Sequence, residues 1–131
     1  MKQWRIYLAG VLVLEQEMAV RLGRTTDVVR SIDDLQDCCP LPIAKVWSLR
    51  VLDNRAARGI ESTIADALSA RLERSRWFRF RLGNEADKAL FGDAMMLGEE
   101  LASVGNRSAT VWGVAHLDLL VGQRRGANRL G

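Results

Sequence analysis

The sequence predicts an α+β domain built on a small mixed or antiparallel sheet of three strands, flanked by helices and followed by a helical C-terminal extension. Three observations lead there. Short stretches rich in β-branched and aromatic residues alternate with longer stretches whose apolar residues recur every three or four positions. Strong N-cap candidates stand where the helical periodicity begins, at Thr25 to Asp27, Asp53 or Asn54, and Asn84. Two prolines, Pro40 and Pro42, stop the first helical stretch.

The elements follow in order. Trp4 to Val13 has strand composition, but Gly10 interrupts it, so a strand is expected over about 4–9. Glu15-Gln16-Glu17 reads as a turn and Met18–Leu22 as a second strand, paired with the first through a long, irregular loop. Val28, Ile32 and Leu35 lie on one stripe of a helix that ends before Asp-Cys-Cys-Pro-Leu-Pro. Ile43–Leu52 is a third strand, with Lys45 and Arg50 exposed. Ile60, Ile64, Leu68 and Leu72 recur every four residues and predict a buried helical stripe. Trp77 to Leu82 alternates aromatic and arginine, an extended segment showing Arg79 and Arg81 to one side. A last amphipathic helix is expected over about 85–103, with a seam of Leu90, Met95, Leu97 and Leu101. Thr110–Val121 is a short apolar element of open type, and the Gly- and Arg-rich end reads as a mobile tail.

A chain of 131 residues is long enough for one domain with a real core. The division expected is a domain over 1–105 and an extension with a basic tail over 106–131. The net charge of +3 and a pI near 9.3 favour a polyanionic partner mildly. The distribution of charge says more. Arg71, Arg74, Arg76, Arg79 and Arg81 stand against a single Glu73, while Glu85, Asp87, Asp93, Glu99 and Glu100 make the next segment acidic. One face is therefore expected to be basic and another acidic. The adjacent Cys38 and Cys39 are poorly placed to bridge each other and have no partners at metal-ligand spacing. Reduced thiols of a cytoplasmic protein are the expectation. The apolar run Leu8–Leu14 is too short for a membrane span, and neither a signal peptide nor a membrane partner is expected.

Several segments taken together resemble the GIY-YIG nuclease superfamily, in its short phage and bacterial branch. They are Arg5-Ile6-Tyr7, then Arg21-Leu22-Gly23-Arg24-Thr25, the helix ending in Leu35-Gln36, the Pro turn, the helix containing Glu61, and Arg76-Trp77-Phe78. The likeness covers roughly residues 4–80 and rests on order and spacing, since no single segment is specific. It implies a DNA endonuclease in which Tyr7 activates or positions water and Glu61 holds one Mg²⁺. An arginine on the first helix would stabilise the transition state. The second signature tyrosine is replaced by Arg21, which can bind phosphate but cannot act as a base. Gly23, Arg24 and a helix N-terminus beside them would favour an anion.

The departures from the family pattern are specific. The arginine position falls on Ser31, and Arg30, the nearest substitute, lies about 100° away round the helix. Ala65 stands where the branch often carries histidine, and Arg76 replaces a glutamate. Two readings follow: a Mg²⁺-dependent nuclease using Tyr7, Arg30 and Glu61, or a relative that binds DNA or a protein without cutting. In either, Arg21, Arg24, Lys45, Arg74, Arg76, Arg79 and Arg81 are the candidate DNA contacts. Trp77 and Phe78 are read as packing residues, as is the lone His116. The acidic helix or the apolar segment over 110–121 is an alternative surface for a homodimer or another partner.

Overall fold

The structure is a computed structural model describing residues 3–104 and 112–115. Strands β1 (Arg5–Leu14) and β2 (Glu17–Thr25) form one long hairpin turning at Glu15-Gln16. Helix α1 (Val28–Asp37) follows, then β3 (Ile43–Arg50) and helix α2 (Asn54–Ala67). A single 3-10 turn at Ser69–Arg71 leads into β4 (Leu72–Arg74), β5 (Trp77–Arg81), helix α3 (Glu85–Val104) and β6 (Gly113–Ala115). Among the described residues the sheet has six strands in the order β4-β5-β2-β1-β3-β6, and every neighbouring pair is antiparallel. The α+β class is as expected. The count of three strands is corrected: the alternation over Trp77 to Leu82, read as a short strand or extended segment, is β5, and β4 and β6 are three-residue strands with no pattern of their own. The β4-β5 pair is added at the β2 edge and the single strand β6 at the β3 edge.

The hairpin has no long loop. Gly10 does not end β1 but lies within it, opposite Val20 and Lys45. A Cβ there would meet Met18 Sδ at 2.7 Å and the Trp47 ring at 3.2 Å, so the glycine makes room for two large neighbours rather than a bend. The capping residues are as expected. Asp27 accepts from the Arg30 amide, Asp53 from the Ala56 amide and Asn84 from the Asp87 amide. Helix α2 stops at Ala67, so Leu72 falls outside it and stands exposed on β4.

The sheet is covered unequally. On one face α1 packs Ile32, Val28 and Leu35 against Tyr7, Ala9, Val11, Ile43 and Val46. The other face carries the larger core, in which Ile6, Leu8, Val20, Leu22, Leu49 and Phe78 meet Ala57, Ile60, Ile64 and Leu68 of α2 and Ala94 and Ala102 of α3. The expected seam of α3 is its contact face only in part: Leu90 and Met95 pack against the core, but Leu101 is exposed, and the fully buried apolar positions are Ala94, Gly98 and Ala102. Small residues at four-residue spacing let α3 approach closely. A Cβ on Gly98 would stand 2.9 Å from Ile64 Cδ1.

Two polar features lock connections. Gln36 Nε2 donates to the Leu41 carbonyl at 2.9 Å, and its Oε1 accepts from the Ile43 amide at 2.8 Å. One side chain thus spans the proline turn and fixes where β3 begins, each bond contributing about 0.5–1.5 kcal/mol. Trp112 Nε1 donates to the Met95 carbonyl at 2.8 Å, and its amide donates to Glu99 at 3.1 Å. These bonds seat β6, which pairs with β3 although it lies in the segment beyond 105. The rest of 106–131, including His116 and most of the apolar segment, lies outside the described residues. Among the described residues no helix is long and apolar enough to cross a membrane. Cys38 is exposed, Cys39 is half-buried, and both are free thiols.

Candidate nucleic-acid interface

Strand alternation assigns the candidate residues to faces. Tyr7, Arg21 and Gly23 lie on the α1 side of the sheet, Tyr7 paired with Gly23 and Arg21 with Ala9 and Trp77. Tyr7 is almost fully buried. Its ring crosses directly over Gly23, where a Cβ would stand only 2.5 Å from the ring and the hydroxyl. Gly23 is therefore required by contact with Tyr7. Arg24, the next residue along β2, points to the opposite face.

There it meets Glu61. The Arg24 guanidinium donates from Nη1 to Glu61 Oε2 at 3.2 Å, and Arg76 Nε stands 3.6 Å from Glu61 Oε1. The Glu61 side chain is only 10% exposed, whereas those of Arg24 and Arg76 are 37% and 42% exposed. A buried carboxylate from α2 thus holds two half-exposed guanidiniums, one from the end of β2 and one from just before β5. The Leu22 amide donates to the Arg76 carbonyl at 3.0 Å and ties those two backbones together. The glutamate expected from sequence as a metal ligand is here a clamp between cations.

Tyr7 and Glu61 approach the same point of β2 from opposite faces. Arg30 is exposed on α1. Among the described residues no hydrogen bond or ion pair joins Tyr7, Arg30 and Glu61. Ser31, at the position where the family pattern has arginine, donates from Oγ to Thr25 Oγ1 at 2.6 Å. Thr25 Oγ1 also accepts from the Asp27 amide at 3.0 Å. This residue therefore pins the start of α1 to the end of β2.

The immediate surroundings of Glu61 are cationic. Each carboxylate oxygen faces a guanidinium, and among the described residues no three of His, Cys, Asp or Glu gather as a metal site. A divalent ion at this oxygen pair would have to displace two cations that already neutralise it.

The arginine-rich segment is less basic than its composition suggests. Arg79 forms a two-bonded pair with Glu73, at 2.9 and 3.1 Å, and lies 3.9 Å from Glu17. Arg71 and Arg81 both bind Asp87, at 2.7 and 3.2 Å. Of the five arginines between 71 and 81, Arg74 alone meets no carboxylate among the described residues, and Arg21 on β2 is likewise unpaired. Lys45 lies on the α3 side of the sheet, its ammonium 5.1 Å from the centre of the Trp47 ring.

Asp87 is the residue the sequence reading missed. Its side chain is 1% exposed, accepts from the Arg81 amide at 2.8 Å, and joins β5, the 3-10 turn and the first turn of α3. Hydrogen bonds from the Arg81 side chain and backbone hold its carboxyl below the usual range, against the cost of burial. The same pair raises the Arg81 guanidinium above its ordinary value. The one available signal was a capping position, Asn84 followed three residues later by an acid.

No family model matches the sequence, no curated protein matches it, and no solved structure matches it.

Proposed function

We propose that the chain is a nucleic-acid-binding module of GIY-YIG type that grips a phosphodiester backbone and does not cut it. The succession β1-β2-α1-β3-α2, with β2-β1-β3 at the centre of the sheet, supports the likeness. So does the pairing of Tyr7 with Gly23. The observation that carries the binding reading is the Arg24–Glu61–Arg76 clamp. Its net charge is +1, and the carboxylate lies behind while both guanidiniums reach solvent. Each guanidinium has five N–H donors, and Arg24 donates to Glu61 from Nη1 alone, so donors remain for an incoming phosphate. Arg21, on the α1 face of β2, and Arg74, on the edge strand β4, are further cations unpaired among the described residues. A reaction needs a base, a metal ligand and a transition-state cation in one group, and the clamp and Ser31 occupy two of those places with ion pairing and helix anchoring.

The test is incubation of the purified protein with supercoiled plasmid and Mg²⁺ or Mn²⁺, beside Tyr7→Phe and Glu61→Ala. The expected result is a retarded plasmid that stays supercoiled, with dissociation constants of about 10⁻⁴–10⁻⁶ M for non-specific binding. Nicking by the wild type that vanishes in both variants would replace this reading with a hydrolytic one.

A further inference from the structure

A second site lies at the other end of β2, six residues and so about 20 Å along the strand from Arg24. A cavity of about 370 Å³ opens between the sheet and the first turns of α3. Its floor and walls are Met18, Val20, Trp47, Phe80 and Phe91. The hollow has a structural cause. Helix α3 presses onto α2 at Gly98, but near its N-terminus Phe91 props it away from the sheet. That ring stands edge-on to both Trp47 and Phe80, with centres 5.2 Å apart in each case. The missing side chain of Gly10 lets Met18 and Trp47 settle lower still.

The mouth is cationic. Lys45, lying over Trp47, and Lys88 border it together with Glu85. Asp87 also borders the cavity, but its charge is already answered by Arg71 and Arg81. Flat aromatic walls favour a planar ring through edge and face contacts. Two lysines against one unmatched acid favour a negative group on that ring, and the volume is of the size that holds a small molecule.

We infer that this cavity is a binding site for a small planar aromatic anion, a ring carrying a carboxylate, sulfonate or phosphate. The site is separate from the clamp, and its occupancy does not depend on nucleic acid. Naphthalene-2-sulfonate is the probe, with 2-naphthylmethanol and 2-naphthylmethylammonium as neutral and cationic controls, followed by NMR at the Trp47 indole and the Met18 methyl. The sulfonate is expected to saturate both signals. The alcohol should bind at least about tenfold more weakly, the worth of one charge-assisted contact, and the ammonium more weakly again. Replacing both lysines, the half-buried Lys45→Gln with the exposed Lys88→Gln, should bring the sulfonate down to the affinity of the alcohol and leave the alcohol unchanged. No saturation at millimolar probe overturns the inference. So does equal affinity for the three probes, or an unaltered sulfonate affinity in the double lysine variant.

Discussion

Asp87→Asn is expected to destabilise the fold by about 3 kcal/mol, the low end for breaking a buried ion pair, because Arg81 is 53% exposed and partly hydrated. The substitution keeps the shape and removes the charge. It leaves Arg71 and Arg81 facing an amide, and Arg71 Nε is already buried without a partner. Three elements separate at once: β5 loses its contact with the start of α3, and the 3-10 turn loses its anchor. The melting temperature should fall on the order of 10 °C. Asp93→Asn, an exposed position on the same helix, is expected to change stability by less than about 0.5 kcal/mol. The pH dependence carries the same sign. The folded state holds the Asp87 carboxyl below its unfolded value near 3.9, so the unfolded chain takes up the proton first as pH falls. The stabilisation is complete above that unfolded value and is lost as pH falls through the lower folded one. The wild type should therefore lose stability over this acid window more steeply than Asp87→Asn, which thermal melts across pH would record.

Gly23→Val is expected to cost about 3 kcal/mol, because its Cβ falls 2.5 Å from the Tyr7 ring and two further methyl groups follow it. Tyr7 cannot swing aside freely, since it is packed between Val28 and Ile32 of α1 and the neighbouring strand residues. The diagnostic is non-additivity. Tyr7→Ala alone removes a buried ring and should also destabilise, but in the Gly23→Val background it clears the clash. The double variant should be more stable than the sum of the singles requires by about 1–3 kcal/mol in denaturant unfolding. Additive costs would mean that Tyr7 and Gly23 do not touch.

The parts of the fold that depend on local chemistry were legible in the sequence. Asp27, Asp53 and Asn84 announced three helices because a cap acts within three residues of itself, and Pro40 and Pro42 marked a stop for the same reason. What depends on distant neighbours was not legible. Gly10 looked like a strand break because nothing near it in sequence reveals Met18 and Trp47 converging above it. The contact face of α3 was assigned to Leu90, Met95, Leu97 and Leu101, of which Leu90 and Met95 pack on the core, but its closest crossing selects for small residues such as Gly98. Strands β4 and β6 are three residues each and owe their existence to the edges they join. The candidate site divides the same way. Tyr7 and Gly23 come together because the hairpin register sets them opposite each other. The arginine cluster misled because composition counts cations along the chain, whereas Glu17, Glu61 and Asp87 return to neutralise them from other elements. Glu61 was singled out correctly as a residue of the site, yet its partners are arginines that lie 37 and 15 positions away.

The salt dependence of DNA affinity reaches the centre of this account. Each phosphate contact made by a cation contributes about one unit to the slope of log affinity against log salt. Arg24→Ala and Arg76→Ala should each flatten that slope by about one unit and the double variant by about two, whereas Arg79→Ala, whose charge is already matched by Glu73 and Glu17, should leave it nearly unchanged. A double Arg24/Arg76 variant with the wild-type slope would contradict the claim that the guanidiniums held by Glu61 grip the nucleic-acid backbone.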